Sequence, residues 1–357
     1  MKRIALLGAT GSIGRQALEI ADAHPDLQLC ALAAGSTDVR PLAEARGIEH
    51  HQTGGDLTEL LEAARPDVVL NAVVGFAGIH ATLWALEHGI DLALANKESL
   101  VAAGDLATAA HRRGGARLLP VDSEHSAVHQ CLEGRAPESL ESLVLTASGG
   151  PFRGRTRDEL ADATPDDALA HPTWSMGPKI TTDSATLANK GLEVIEAHFL
   201  FGLPYDRVEV VIHPTSIVHA FVRFRDGAAL AHLGYPDMRV PISYALTYPE
   251  RAATPVPPLD LTRTPLVFEE PDHETFPLLE LARTAGARGG TAPCAYNAAN
   301  EVAVEAFLAG RLPVLGIAAV VEETLAAWDD EPARDLDDLL EANGQARSLA
   351  EQELVVA

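Results

Sequence analysis

The chain has 357 residues, 47% of them hydrophobic and 22% charged, the composition of a soluble globular protein long enough for two or three domains. A formal net charge of −24 disfavours nucleic acid and anionic membranes as partners; if the substrate is a phosphate the global field repels it, and local cations and helix N-termini would have to win at short range. The three cysteines, Cys30, Cys131 and Cys294, are far apart and form no C-x-x-C, which argues against a disulfide framework or structural zinc and fits a reducing cytosol.

Residues 1–122 alternate two patterns. Apolar runs at 4–7, 29–33, 68–74, 92–95 and 118–121 predict strands, and helical patterns such as 12–23 and 79–87 fall between them. That alternation predicts an N-terminal, Rossmann-like parallel sheet with crossover helices. The first strand begins so early that it leaves no room for a signal peptide, and no apolar stretch nears the ~18 residues of a membrane helix, so a cytoplasmic location is expected. Residues 123–242 read as an α/β catalytic domain. It has a strand at 143–146, one long helix near 184–201, and a β-meander at 208–212, 217–224 and 228–233. Five prolines between 249 and 265 mark an extended linker, spanning 243–267. The rest, 268–357, reads as a C-terminal helical bundle, with helices near 276–287, 295–309, 314–328 and 343–355 and a solvated acidic connection at 329–338.

The turn Gly8-Ala9-Thr10-Gly11-Ser12-Ile13-Gly14 lies between the first strand and a helix. Its glycines allow a tight turn, close approach to a pyrophosphate, and close helix–strand packing. The second strand ends in Ala34-Gly35-Ser36-Thr37 without the acid that grips an NAD ribose, and Arg40 follows one turn later, which leans toward NADP(H). Asn96-Lys97-Glu98 follows the strand at 92–95, at the carboxyl edge where open parallel sheets bind ligands. Asp122-Ser123-Glu124-His125 leaves the strand at 118–121. Strand alternation would project Asp122 and Glu124 to one side and Ser123 to the other. Two carboxylates so placed repel unless one keeps a proton or a cation sits between them, and oxygen ligands suit Mg²⁺ or Mn²⁺. The plain alternative is a solvated acidic turn.

Ser148-Gly149-Gly150 follows another strand and is either an anion nest or a plain turn. His171 to Pro178 is a proline-bounded loop with Trp174 at its tip, a candidate lid. Ser184 is placed as the N-cap of the long helix. At about 100° per residue, Asn189, Lys190, Glu193 and Glu196 share one polar face, while Leu187, Val194 and Ile195 point the other way. Gly191 in mid-helix suggests a close approach of another element. Only four lysines occur, Lys2, Lys97, Lys179 and Lys190, against 23 arginines, and three of them lie in these segments. Zinc at His125 and His129 is disfavoured, because no third imidazole has matching spacing.

Together these motifs, with Ala95–Leu100, Ala147–Phe152 and Asn297-Ala298-Ala299-Asn300-Glu301, resemble the 1-deoxy-D-xylulose 5-phosphate reductoisomerases of the non-mevalonate isoprenoid pathway over nearly the whole chain. The resemblance implies a homodimer of three-domain subunits that uses NADPH and a divalent cation, Mg²⁺ or Mn²⁺ with Co²⁺ as an alternative, on a small phosphorylated sugar. By resemblance, Asp122, Glu124 and Glu193 would hold the cation. Ser148, Ser184, Asn189 and Lys190 would take the phosphate, and Lys97, Ser123 and His171 the substrate backbone. Glu124 and Glu193 would also face the substrate, and Lys97, Asp122, Glu124, Glu193 and His171 form the catalytic set. Thr10, Gly11, Ser12, Ile13, Gly35, Ser36, Asn96, Glu98 and Gly177 would line the NADPH site. The chain departs from the pattern at Ser36-Thr37, where many members carry Lys-Asn.

Three other classes compete. A short-chain dehydrogenase needs Tyr-x-x-x-Lys, and none of the five tyrosines has lysine four residues on. A semialdehyde-type dehydrogenase needs an activated cysteine. A non-enzymatic NADPH-sensing module would show no metal-dependent turnover.

Overall fold

A computed structural model describes residues 1–354. The chain divides into two compact units. The first comprises Met1–Ser99, Asp105–Gln130 and Asp237–Leu259; the second comprises Leu100–Gly104, Cys131–Pro236 and the chain from Asp260 onward.

The first unit is built on a parallel six-stranded sheet. Its strands are β1 (Lys2–Leu7), β2 (Leu27–Ala34), β3 (His50–Thr53), β4 (Val68–Asn71), β5 (Asp91–Leu94) and β6 (Leu118–Pro120), in the order β3-β2-β1-β4-β5-β6. The central strands are nearly all apolar because both faces are covered. Ile4, Leu6, Leu32, Val68, Leu70, Ala93 and Leu119 share one core with Leu18 and Ile20 of the Ser12–Ala23 helix and with Ile242, Ala245 and Leu246. Strand order reverses between β1 and β4, so their carboxyl ends frame the switch point where such sheets take ligands. The strand predicted at 68–74 stops at Asn71. Beyond it, the Asn71 side chain accepts from the Val73 N–H at 3.2 Å and turns the chain. The His50–Thr53 strand was not predicted: it is polar, short and at the sheet edge, where the alternation signal fails.

The helix Arg239–Thr247 packs on the Ser12–Ala23 helix and crosses position 243, the expected start of the linker. Lys2 Nζ donates to the Leu246 and Tyr248 carbonyls at 2.9 and 3.1 Å, fastening this segment to β1. Residues 251–268 carry no helix or strand.

The second unit contains a mixed sheet of β7 (Leu140–Ala147), β8 (Val208–Ile212), β9 (Val218–Phe224) and β10 (Ala229–Leu233), in the order β10-β9-β7-β8. The expected meander is corrected here. β7 lies between β8 and β9, parallel to one and antiparallel to the other, and only β9 and β10 form a hairpin. Sequence order suggested neighbours, but the interior apolar strand β7 takes the central place. The tail is helical, with Leu278–Arg288, Ala292–Leu308, Val314–Ala326 and Leu336–Glu353. The last helix starts inside the predicted acidic connection because Asp335 caps it, accepting from the Asp338 N–H at 3.0 Å, and acids suit a helix N-terminus. Its predicted end at 355 lies outside the described residues.

Candidate active site

In the first unit two glycines of the nucleotide turn, Gly8 and Gly14, are sterically required. Gly8 has φ +85°, and a Cβ there would stand 2.3 Å from the Ala72 carbonyl oxygen. One on Gly14 would stand 2.2 Å from the Gly8 oxygen. The Gly8 and Ala9 N–H groups donate to Ala33 O at 2.9 and 2.8 Å, pinning the turn against β2. Gly11 is the N-cap of the Ser12–Ala23 helix and offers no side-chain acceptor, so the N–H groups of Ser12 and Ile13 face outward from a positive helix end. Thr10 O accepts from Arg15 at 2.7 Å. At the tip of β2, Gly35, Ser36, Thr37, Asp38 and Arg40 are exposed. The Asp38 carboxylate turns back to accept the Arg40 N–H at 3.0 Å.

The Asn96-Lys97-Glu98 segment is buried, with Lys97 only 4% exposed. Asn96 Nδ2 donates to the carbonyls of Val73 and Gly75, both at 2.8 Å, and to Glu98 at 3.2 Å. Asn96 Oδ1 accepts from Ser99, whose oxygen accepts from Thr82 at 3.0 Å, and Thr82 accepts from Asn71 at 2.9 Å. This chain ties the loops after β4 and β5 together, and sequence reasoning missed it because its members lie on four separate elements. Lys97 Nζ lies 2.5 Å from Asp122 Oδ2, a pair largely removed from water.

The projected alternation of Asp122, Ser123 and Glu124 is corrected. β6 ends at Pro120 and a helix runs Ser123–Leu132, so Ser123 and Glu124 occupy its first turn. Asp122 Oδ1 accepts the Glu124 N–H at 3.3 Å, and the Ser123 hydroxyl donates to the Glu124 carboxylate. Ser123 thus joins the carboxylates rather than facing away. His125 is fully buried, 3.7 Å from Asp122, whereas the His129 ring packs edge-on against Tyr244 and Tyr248.

In the second unit, Ser148, Ser184, His171, Asn189, Lys190 and Glu193 all lie on connected elements. His171 Nδ1 accepts from the Thr173 and Trp174 N–H groups at 3.1 and 2.9 Å. The ring is therefore neutral with its proton on Nε2, which donates to Ser148 Oγ at 2.9 Å. Burial lowers the His171 pKa in the same direction. Ser148 Oγ also accepts the Gly150 N–H at 3.2 Å, so both its lone pairs are used and its own proton is left to donate. Gly150 has φ +66°, and a Cβ there would stand 2.6 Å from Ser184 O, so the glycine brings the Ser148 loop onto Ser184. Trp174, in the candidate lid, donates through Nε1 to Ser216 at 3.3 Å, and exposed Gly177 caps the next helix.

The single long helix expected at 184–201 is two helices. Pro178–Ala185 ends before Leu187, whose φ is +61°, and Ala188–Phe201 follows. Ser184 is thus near a C-terminus and caps nothing. The polar face is also not solvated: Lys190 is 3%, Glu193 1% and Glu196 0% exposed. Glu193 takes the Asn189 amide at 2.5 Å and the Lys190 ammonium. The close approach inferred at Gly191 is present, since a Cβ there would stand 2.6 Å from Ala282 Cβ and 3.1 Å from the Tyr296 hydroxyl.

Among the described residues no helix is long and apolar enough to cross a membrane. Three family models match the chain. One, 1-deoxy-D-xylulose 5-phosphate reductoisomerase, matches residues 4–53 and 38–104; its C-terminal domain matches 118–201, and the DXP reductoisomerase C-terminal domain 233–349. The 1-deoxy-D-xylulose 5-phosphate reductoisomerase of Leifsonia xyli subsp. xyli is 50% identical, with 99% of each chain covered. That of Heliobacterium modesticaldum is 51% identical over 98% of this chain and 97% of its own. A crystal structure of DOX-P reductoisomerase in complex with NADPH, fosmidomycin and magnesium matches with a TM-score of 0.92 at 38% identity, covering 100% of this chain and 99% of that one. The Zymomonas mobilis enzyme in complex with NADPH matches with a TM-score of 0.89 at 38% identity, covering 99% of both chains. With two relatives near half identity over almost their full length, the chain belongs to the 1-deoxy-D-xylulose 5-phosphate reductoisomerase family.

Proposed function

We propose that this protein converts 1-deoxy-D-xylulose 5-phosphate into 2-C-methyl-D-erythritol 4-phosphate, by isomerisation and NADPH-dependent reduction with a divalent cation. The observation that carries the reading is the state of Ser148. Its oxygen accepts from His171 and Gly150, so its hydroxyl is committed as a donor for an anion, beside Ser184 and on the same unit as Asn189 and Lys190. A phosphate gripped there lies far from the reacting carbons and supplies binding energy for their placement.

The donor set fits a hard cation. Asp122, Glu124 and Glu193 offer only carboxylate oxygen, and two of them are already held against ammonium groups, Asp122 by Lys97 and Glu193 by Lys190. When bound, Mg²⁺ or Mn²⁺ supplies Lewis acidity to the substrate's ketone and hydroxyl oxygens, and NADPH supplies the hydride. Lys97 balances the charge of Asp122 and presents its ammonium to the substrate backbone. Ser123 and neutral His171 add hydrogen bonds there. The Trp174 loop excludes water. Thr10 to Ile13, Gly35, Ser36, Asn96, Glu98 and Gly177 line the cofactor, and the exposed β2 tip with Arg40 favours a 2′-phosphate. The enzyme works as a cytoplasmic homodimer.

Cys294 does not serve as the activated cysteine of a semialdehyde-type mechanism, since burial pushes its thiol up to about 12, the reverse of an activated nucleophile. The test mixes the protein with NADPH, Mg²⁺ and 1-deoxy-D-xylulose 5-phosphate and follows loss of reduced-nicotinamide absorbance. Turnover that stops with a chelator supports the proposal; a flat trace sinks it.

A further inference from the structure

Two sequence features have no part in the reading above, the Asn297–Glu301 motif and Lys179, and both reach one buried carboxylate. Asp183 is 1% exposed. Its Oδ2 accepts from Lys179 Nζ at 2.7 Å, and its Oδ1 accepts from Asn300 Nδ2 at 2.8 Å. Asn300 lies on the Ala292–Leu308 helix, 117 residues further along, and is fully buried. Its own Oδ1 has no hydrogen-bond partner among the described residues. A buried amide normally satisfies both ends, so this one is oriented by Asp183 alone.

One turn earlier on the same helix face stands Tyr296, at i−4 from Asn300. It is fully buried, and its hydroxyl donates to Leu278 O at 3.1 Å. The same hydroxyl would be 3.1 Å from a Cβ on Gly191. Tyr296 and Asp183 are both buried, and burial first, with the Asp183 charge second, holds the phenol well above its ordinary value.

These two contacts straddle the break between the Pro178–Ala185 and Ala188–Phe201 helices. Leu187, at φ +61°, holds a conformation that leucine disfavours, and such a residue persists where its surroundings over-determine it. Ser184 lies just before the break; Asn189 and Lys190 lie just after it. One face of the tail helix therefore reaches both sides, Asn300 by a hydrogen bond to Asp183 and Tyr296 by packing close over Gly191.

We infer that Asn300 and Tyr296 are positioning residues for the phosphate end of the substrate, and that the helical tail thereby sets the spacing of Ser184 from Asn189 and Lys190. This rests on the functional reading above, in which those three residues grip phosphate.

The test uses Asn300→Asp, Asn300→Ser and the double variant Asp183→Asn/Asn300→Asp in the full chain. The single Asp sets two carboxylates face to face in a dry site, where they repel. The KM for 1-deoxy-D-xylulose 5-phosphate and the Ki of inorganic phosphate should both rise about tenfold, while the Kd for NADPH stays within about twofold. The double variant restores one carboxylate facing one amide, and should recover both constants to within about threefold of wild type. Should Asn300→Asp fail to fold, Asn300→Ser replaces the amide donor by a shorter hydroxyl that falls short of Asp183, adds no charge, and should raise both constants about threefold. Unchanged KM and Ki in a folded Asn300 variant, an equal loss of NADPH affinity, or a double variant that recovers nothing would overturn the inference. Wild-type protein that does not oxidise NADPH with this substrate defeats the functional reading instead, so the two failures are distinct.

Discussion

Replacing Gly191 by alanine sets two known effects against each other. Alanine is the better helix former, by about 1 kcal/mol in a helix interior. Its Cβ, however, would stand 2.6 Å from Ala282 Cβ, where carbon–carbon contacts normally begin near ~3.5 Å. The overlap cannot be relieved by sliding, because the Tyr296 hydroxyl and Leu278 O close the other directions at 3.1 and 3.2 Å. Overpacking of a well-filled interior typically costs ~1–3 kcal/mol. The net expectation is a loss of up to about 2 kcal/mol, with the Ala188–Phe201 helix pushed off its neighbour by up to ~1 Å. That helix carries Asn189, Lys190 and Glu193, so kcat/KM should fall about tenfold or more although residue 191 touches no substrate. Urea unfolding and steady-state kinetics measure both. The Gly191→Ala/Ala282→Gly double variant removes the overlap and should recover most of kcat/KM, a non-additivity expected of touching residues. A Gly191→Ala protein as stable and as active as wild type would refute the reasoning.

Four further outcomes are expected. NADPH should be strongly preferred over NADH, because the β2 tip lacks an acid and Asp38 is turned onto its own chain; equal kcat/KM for the two cofactors contradicts this. Glu193→Gln should lower kcat about 100-fold or more, with the NADPH Kd nearly unchanged. It should also cost about 3 kcal/mol of stability, since Lys190 loses its buried counter-charge; near-wild-type turnover at saturating Mg²⁺ speaks against the ligand assignment. Lys190→Arg should lower kcat/KM more for the phosphorylated substrate than for a dephosphorylated analogue, and at 3% exposure the bulkier guanidinium should also lower stability by ~1–3 kcal/mol. His171, whose pKa is lowered by burial from 6.5, binds fewer protons folded than unfolded below that value. Its stabilising contribution is present above pH 6.5 and is lost as pH falls through the folded pKa, so the Tm difference between wild type and His171→Gln should shrink from pH 7.5 to 5.5; a constant difference would remove His171 from the account.

What could be read from the chain depended on whether the cause was local. Gly8 and Gly14 were legible because a tight turn beside a strand leaves a glycine signature, and the structure supplies the clashes that require it. The break at Leu187, where φ is +61°, was not, because leucine is a good helix former and carries no signal for a left-handed backbone. The first turn of the Ser123–Leu132 helix was misread as strand, although Asp122-Ser123-Glu124 carries the acids and short polar side chains of a helix start. The polar face of Asn189 to Glu196 was legible as a face, but its burial was not, since periodicity gives a face and not its surroundings. Ser148 and His171 stand 23 residues apart, and no spacing rule pairs them.

The path of the chain bears on how the protein is made. It passes between the two units after residues 99, 104, 130, 236 and 259, so neither unit is a continuous stretch. Ile242, Ala245 and Leu246 complete the core around β1, and Lys2 bonds carbonyls 244 and 246 positions later. At a synthesis rate of ~5–20 residues per second, the stretch between residues 130 and 237 takes on the order of 5–20 s to emerge. Throughout that interval the nascent sheet lacks its cover and exposes the Ser12–Ala23 helix face on which the Arg239–Thr247 helix will pack. Folding of the nucleotide-binding unit is therefore a late event, and a fragment cut at its apparent boundary near residue 122 would carry an open apolar surface into solution.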